Sequence, residues 1–397
     1  MSSPIDRRSR PLFLLMVLEM GAYGVTLAVF GAALPRVIRE FSWSYLAAGM
    51  VLGAGSAGFF LASLASGYLL RRFRTKTLLL AGSALAAGGL ALFARSTGPG
   101  LNMACNLAIG LGQGLIEVVC ELEIIHLERG GKSRLMNFAH AAFAVGAIAA
   151  PIMTAAFLAR GVGWQLAFPA AAGLLAALGL VTAGVPFPRD VRAIAAPGNH
   201  AGHGVTALLG REPLIVLLML LLFCYVGSEL GTTNWISEYF VASLGMAAPR
   251  AAFAVSVLWA GMLAGRTAIS AFWHGQRHER LTLALAVLCT VALPALLVVR
   301  SPWLAFALVF VNGLGLSGIY PLGISLTGQQ FGTGMAIGIV TTGAGIGSFA
   351  FPFLMSGIAQ VVGLRGGFLL FAAANLLLVA IALLIGRSLS ARSARAP

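Results

Sequence analysis

Charge is scarce in this chain, and that scarcity excludes an ordinary soluble protein. Only 10% of the 397 residues are charged, whereas soluble domains carry roughly 25%. No polar block of the length of a soluble domain interrupts the sequence. Cysteine is scarce too, and the four cysteines lie in apolar runs without the spacing of metal ligands: Cys105, Cys120, Cys224 and Cys289. We therefore expect packing cysteines, no metal site and no cofactor.

Apolar sequence is what the chain has in abundance. Hydrophobic residues make up 59%, and runs of about 20 residues recur, each long enough to cross ~30 Å of hydrocarbon. This pattern predicts an all-α polytopic membrane protein with twelve transmembrane helices. The predicted spans cover residues 11–34, 45–70, 76–95, 101–125, 134–159, 163–185, 213–235, 249–272, 281–299, 302–326, 334–359 and 364–386.

A polar stretch divides these runs into two sets of six. Residues 186–212 contain Pro, Gly, His and Arg, which is typical of a surface linker. We predict a six-helix bundle over residues 1–185, a cytoplasmic linker over 186–212 and a second six-helix bundle over 213–397. The first apolar run follows a basic head and has full length, so we expect it to remain as a helix.

The net charge of +14 is distributed as in a membrane protein. If the N-terminus is cytoplasmic, the connections on that side and both tails carry 18 Lys and Arg residues, and the opposite side carries seven. This positive-inside bias predicts an inner-membrane protein with both termini in the cytoplasm. Anionic lipids explain the basic loops, so no nucleic-acid partner is expected.

The two halves contain related basic segments. Residues 67–78 follow the second predicted span, and residues 270–281 follow the eighth, 203 positions later. Both are basic and occupy the same place in their half, as duplicated six-helix units require.

The first of these segments resembles the G-x-L-a-D-r-x-G-r-k signature of the major facilitator superfamily. Gly67, Leu69, Arg72 and Lys76 fit that signature, while Arg71 stands where the family has Asp. The resemblance implies transport by alternating access, a monomer, and a gating role for Gly67, Arg72 and Lys76.

A narrower resemblance extends over most of the chain. Four segments are similar, in order and spacing, to fucose-permease-type sugar/proton symporters: residues 110–121, 134–151, 225–237 and 319–322. Glu117 matches the membrane-embedded acid that this branch uses in proton coupling. The second acid of the branch has no match, since Gly31 stands at about its position.

Five glutamates lie inside apolar stretches: Glu19, Glu117, Glu121, Glu123 and Glu229. An ionisable group at bilayer depth costs at least ~2.5 kcal/mol, so it usually serves a function. Glu117 and Glu121 share one face of a helix, and two carboxylates that close rarely both ionise. One of them should therefore hold a proton.

His140 lies at a depth similar to that of Glu121, so we predict a proton-coupling group of Glu117, Glu121 and His140. The alternative is that these residues only form hydrogen bonds between helices. Glu123, about 200° around the helix from Glu121, is expected with His126 to face the basic loop 129–134.

Other polar residues within the spans are predicted to bind the solute or control its access. Glu19, with Tyr23 on the same face, could bind a proton, a cation or a hydroxyl group, or form an ion pair at a gate. Gly227 and Gly231 flank Glu229 and predict a softened or broken helix, as in other transporters. The remaining candidate solute contacts are Asn234, Trp235, Asn312 and Tyr320.

Arg266 is the only basic residue well inside a predicted span. We expect it to neutralise a carboxylate near the cytoplasmic gate, and the alternative is that it receives an anionic substrate.

No Walker loop, zincin helix or nucleophile elbow occurs, so an enzyme is not expected. The sequence predicts a secondary active transporter that moves a small polar solute, such as a sugar, by proton symport. One alternative is a proton-coupled efflux antiporter for drugs or organic cations, although only Gly146 and Pro151 match the antiporter signature of the fifth helix. The other is a lipid or lysolipid translocator, which the very apolar helices and Arg266 favour.

Overall fold

A computed structural model describes residues 9–127, 134–187, 210, 212–273, 277–332 and 334–393. Within these ranges the regular structure is helical, and none of the described residues forms a strand. Helices satisfy their backbone hydrogen bonds internally, which a hydrocarbon environment requires. The all-α fold class predicted from the sequence is confirmed.

The first half contains six helices, named spans 1 to 6 in chain order. They are Arg10–Glu40, Tyr45–Arg72, Thr75–Leu92, Pro99–Leu127, Arg134–Ala159 and Ala167–Gly184. A short 3-10 turn, Trp164–Leu166, precedes span 6.

The second half contains spans 7 to 12. Span 7 is Pro213–Leu244, span 8 is Phe253–Phe272 after a single turn Ala248–Ala251, and span 9 is His278–Val298. Span 10 has two pieces, Pro302–Leu316 and Ile319–Phe331. The last helical segment, Gly334–Ser393, changes direction at Gly363 (φ 83°, ψ 169°) and contains spans 11 and 12, residues 334–362 and 364–393.

Eleven described helical segments are long and apolar enough to cross a membrane, and the last of them contains two spans. The twelve predicted crossings are therefore present. Span 7 continues nine residues beyond its predicted end at 235, because the chain leaves the helix only at Gly245, which adopts a left-handed conformation (φ 67°).

The basic segment 67–78 joins two helices, since span 2 runs to Arg72 and span 3 begins at Thr75. One local prediction was wrong. Span 7 is continuous through Gly227 and Gly231 rather than softened or broken. The rings of Phe351 and Phe371 occupy the space where side chains at these two glycines would stand, so the glycines serve packing.

The chain forms two compact units. Unit 1 comprises Met1–Ala196 and Ala247–Ser256, and unit 2 comprises Pro197–Met246 and Val257–Pro397. Most of the predicted linker 186–212 lies outside the described residues, so its boundaries stay a prediction. The segment 247–256 was predicted with the second bundle but groups with unit 1, where the Ser256 hydroxyl donates to the Ile148 carbonyl (2.8 Å).

Glycines bring the helices into backbone contact within each unit. In unit 1, a Cβ at Gly146 would overlap the Gly21 carbonyl, and one at Gly110 would overlap the Gly55 carbonyl. Spans 1 and 5, and spans 2 and 4, therefore pack closely. In unit 2 the equivalent pairs meet in the same way, spans 7 and 11 through Gly347 and spans 8 and 10 through Gly313. Small residues permit such close approach between membrane helices.

Candidate functional site

A carboxylate and an imidazole meet between spans 4 and 5 of unit 1. Glu121 Oε1 lies 3.6 Å from His140 Nε2, and the two side chains are 39% and 34% exposed. Each residue is six positions from the neighbouring ends of its helix, Leu127 and Arg134, so the two lie at one level. Within the predicted group of Glu117, Glu121 and His140, the structure pairs His140 with Glu121.

Glu117 lies one turn further into span 4 and is half-buried. One turn beyond it, Gln113 donates a hydrogen bond from Nε2 to the Thr26 hydroxyl of span 1 (2.9 Å). Span 4 therefore presents an amide and two carboxylates at successive turns, and the amide ties it to span 1.

Glu19 is fully buried inside unit 1. Its Oε1 accepts a hydrogen bond from the Thr182 hydroxyl of span 6 (3.2 Å), while Oε2 has no hydrogen-bond partner among the described residues. Tyr23 instead faces the rings of Phe143 and Phe59, at 4.8 and 6.4 Å between centroids. The roles predicted for Glu19 and Tyr23 in binding the solute stay predictions.

The position of Glu123 relative to the basic loop stays a prediction. Glu123 is fully buried, with Thr75 and His126 as polar neighbours. Neither carboxylate oxygen has a hydrogen-bond partner within the described part of the chain. The face of span 4 opposite Glu121 packs within the bundle rather than against water, while the loop 128–133 lies outside the described residues.

Unit 2 contains a charged and aromatic group around Arg266. Arg266 Nη2 lies 3.9 Å from Glu229 Oε1, and Arg266 Nε donates a hydrogen bond to the Ser317 carbonyl (3.1 Å). The Tyr225 phenol lies beside both charged groups, and its ring centroid is 6.2 Å from that of Tyr320. We call these five residues the Arg266 cluster.

Local sequence explains how the cluster forms. Span 10 is interrupted at Ser317 and Gly318, next to the carbonyl that Arg266 holds. Gly265, the residue before Arg266, leaves room for the Ser317 side chain, which would overlap a Cβ at that position. The carboxylate that Arg266 neutralises is thus Glu229, near the middle of span 7.

The other predicted solute contacts lie within unit 2 at different degrees of burial. Trp235 and Asn312 are almost fully buried, and Asn234 is half-buried. Neither amide atom of Asn312 has a hydrogen-bond partner among the described residues. Their roles in binding a solute stay predictions.

The predicted gating residues occupy distinct environments at the adjoining ends of spans 2 and 3. Gly67 and Arg72 are exposed. The Lys76 ammonium donates hydrogen bonds to the carbonyls of Ala183 (2.8 Å) and Val185 (3.0 Å). Lys76 therefore stabilises the end of span 6, and a role in gating stays a prediction for all three.

Glu238 is a buried acid that the sequence interpretation missed. It lies in span 7 and is almost fully buried. The signal was present in the sequence, because the apolar residues Tyr239, Phe240 and Val241 continue the helix past the predicted end at 235.

Comparison with known proteins identifies the family. The sequence model of the Major Facilitator Superfamily matches residues 12–299, which is most of the chain, so this protein belongs to that superfamily. It is 28% identical over 253 residues to Protein TsgA of Salmonella arizonae, an alignment that covers 62% of this chain. The aligned part spans only 60% of the length of that relative.

Solved structures share the fold at low identity. A point mutant of the nucleoside transporter NupG superposes with a TM-score of 0.77 at 12% identity, covering 96% of this chain and 100% of that chain. A D-xylose–proton symporter superposes with a TM-score of 0.72 at 16% identity, covering 95% and 97%. The resemblance to the superfamily is confirmed. This protein is therefore a multi-pass membrane protein of a transporter family.

Proposed function

We propose that this protein is a secondary active transporter that moves a small polar solute by alternating access, coupled to proton symport. The observation that carries the proposal is the pair formed by Glu121 and His140 in unit 1. The solute and the direction of coupling extend beyond what family membership establishes.

The pair has the properties of a proton-exchange site. A carboxylate and an imidazole at 3.6 Å can share a proton. Both side chains remain about a third exposed or more, so protons can be exchanged with water. Glu117 lies about 6 Å further along span 4, one helical turn, and can serve as the next acceptor.

Unit 2 supplies groups suited to a polar solute. Tyr225 and Tyr320 present aromatic rings, and Arg266 and Glu229 present charge near the middle of span 7. The solved D-xylose–proton symporter shares the fold, which supports solute–proton symport as a class without naming the solute.

Proton movement in proteoliposomes tests the proposal. A dye inside the vesicles would report pH while sugars, organic acids and lipophilic amines are added outside. We expect one class of solute to acidify the lumen in the wild type, and Glu121→Gln to abolish acidification while binding of the solute persists. Glu279→Gln serves as the matched control, because Glu279 lies in the first turn of span 9 and belongs to unit 2.

Two outcomes would contradict symport. If the solute entered without proton movement, and Glu121→Gln did not change its entry, the protein would be a uniporter. Lumen alkalinisation driven by a lipophilic amine would favour the antiporter.

A further inference from the structure

We propose that the Arg266 cluster binds a carboxylate group of the transported solute, and that Glu229 is the internal carboxylate which this group displaces from Arg266. This inference rests on the proposed transport function and specifies its substrate class. The solute would be a small organic anion that carries hydroxyl groups, such as a sugar acid or a hydroxy acid.

Arg266 has spare hydrogen-bonding capacity. A guanidinium has five N–H donors, and the one from Nε is held by the Ser317 carbonyl. The closest approach of Nη2 to Glu229 is 3.9 Å, beyond the ~3.2 Å limit of a normal N–H···O bond. The Nη groups therefore have capacity for a second carboxylate, which a guanidinium binds in a bidentate manner.

The Arg266 guanidinium is preorganised for binding. The hydrogen bond from Nε to the Ser317 carbonyl fixes one edge of the guanidinium. The Arg266 side chain is 25% exposed, whereas Glu229 is 11% exposed. Arg266 is thus held in place and accessible, which favours tight binding because little order must be gained on association.

Exchange of Glu229 for a bound anion would keep the cluster balanced in charge. Arg266 and Glu229 together carry no net charge in a region where an unbalanced charge is costly. If an anion binds Arg266 while Glu229 gains a proton, the cluster again has no net charge. Entry of the anion would then bring one proton with it, which is symport without net charge transfer at this site.

The surroundings of Glu229 agree with this exchange. The titratable groups that face it are Arg266 of span 8 and Tyr225 of its own span. Spans 11 and 12 present the apolar rings of Phe351 and Phe371 against the turns on either side. Within the described ranges, no second cation is therefore placed to hold the Glu229 carboxylate when Arg266 binds the solute.

The hydroxyl groups of Tyr225 and Tyr320 complete the expected chemistry. Their rings lie at 45° to each other, and the Tyr225 phenol lies beside the charged pair. Phenols both donate and accept hydrogen bonds. They suit a solute with hydroxyl groups next to its carboxylate. An organic cation would instead meet the positive charge of Arg266.

Equilibrium binding to the purified full-length protein in detergent tests the inference without transport. The probes are D-glucuronate, D-gluconate and lactate, with D-glucose as the uncharged counterpart of glucuronate. Binding would be followed by tryptophan fluorescence and by calorimetry in buffers of different ionisation enthalpy, which reports proton uptake. Arg280→Gln, at the exposed start of span 9, is the matched control.

We expect the carboxylates to bind the wild type with uptake of about one proton, and D-glucose not to bind. Glu229→Gln should tighten carboxylate binding on the order of tenfold, because a charge that competes for Arg266 is removed, and should abolish proton uptake. Arg266→Gln should abolish binding. Arg266→Lys should weaken it, and that variant keeps the charge if Arg266→Gln fails to fold.

Several results would overturn the inference. These are equal binding of glucose and glucuronate, no binding of any carboxylate to the wild type and Glu229→Gln, or weaker carboxylate binding by Glu229→Gln. Carboxylate binding without solute entry into proteoliposomes would refute the proposed function and leave this site intact. Proton-coupled entry of a neutral sugar, without carboxylate binding, would support the proposed function and refute the carboxylate site.

Discussion

Glu19 and Glu123 are both fully buried in unit 1, yet their oxygen atoms are satisfied to different degrees. Glu19 accepts one hydrogen bond, from Thr182, and neither oxygen of Glu123 has a partner among the described residues. A buried charge without partners is costly, so such groups usually take up a proton instead. Unit 1 therefore contains acidic groups apart from the Glu121–His140 pair that can bind protons.

The structure makes a specific prediction for Lys76. Its ammonium binds two carbonyls at the end of span 6, where helix carbonyls lack partners within the helix. Lys76→Met should lower the free energy of unfolding by about 1.5–3 kcal/mol, the range for hydrogen bonds to a charged group. The midpoint of thermal unfolding in detergent would measure the change.

Arg72→Met is the control for Lys76→Met. Arg72 belongs to the same basic segment but is exposed at the end of span 2, so its replacement should leave the midpoint unchanged. Equal losses in both variants would show that the segment acts through its total charge and not through the bonds made by Lys76.

At the residue scale, a contact could be predicted from the sequence where it depends only on how deep each residue lies in its helix. Glu121 and His140 lie equally far from neighbouring helix ends, and they meet. The pairing of Arg266 with Glu229 could not be predicted, because a long arginine side chain places its guanidinium far from the level of its own Cα. Burial of Glu123 was missed because the sequence does not show which helix covers each face of span 4.

At the level of helices, glycine provides the contact surface. Gly146 touches the backbone of span 1, whereas Gly173 of span 6 has open space where a Cβ would stand. Gly146→Ala should cost about 1–3 kcal/mol, the usual penalty for overpacking. Gly173→Ala should instead stabilise by up to ~1 kcal/mol, since alanine favours the helix.

Unfolding midpoints of the two variants, measured side by side, test the role of close approach. The prediction requires that Gly146→Ala lower the unfolding midpoint and that Gly173→Ala raise it or leave it unchanged. A similar loss at both positions would indicate that glycine is needed for helix flexibility and not for contact.

The two possible roles of glycine, flexibility and close contact, also explain the error in span 7. A pair of glycines in a membrane helix is compatible with unwinding and with close packing, and the two look alike in sequence. Here Phe351 and Phe371, far away in the chain, occupy the space beside Gly227 and Gly231. Only tertiary structure reveals such partners.

At the scale of the whole molecule, the twelve spans were predictable because hydrocarbon imposes one length and one kind of secondary structure. The pairing of helices was predictable in one respect only, namely that duplicated halves should pair their helices in the same way. The observed pairs do so: the pair of spans 1 and 5 corresponds to spans 7 and 11, and the pair of spans 2 and 4 corresponds to spans 8 and 10. The identity of the substrate leaves no comparably regular pattern in the sequence.

An even number of crossings predicts that both ends of the chain lie on one side of the membrane, and the charge bias predicts the cytoplasm. Fusions of green fluorescent protein and of alkaline phosphatase report this, since the first fluoresces only inside and the second is active only outside. We expect fluorescence and no phosphatase activity when either is fused after residue 397.

A phosphatase fusion after residue 246, between spans 7 and 8, is the counterpart and should be active. If the fusion after residue 397 showed phosphatase activity instead, the segment from 334 to 393 would cross the membrane only once. The turn at Gly363 would then not separate two spans.

That turn also bears on how the protein is made. Gly363 is the only residue between spans 11 and 12, and its backbone angles (φ 83°, ψ 169°) are essentially restricted to glycine. Because the connection is so short, the C-terminal end of span 11 cannot extend into water while span 12 is still being synthesised. The final two helices should therefore leave the insertion machinery together as a hairpin, and substitution of Gly363 should impair biogenesis before it affects transport.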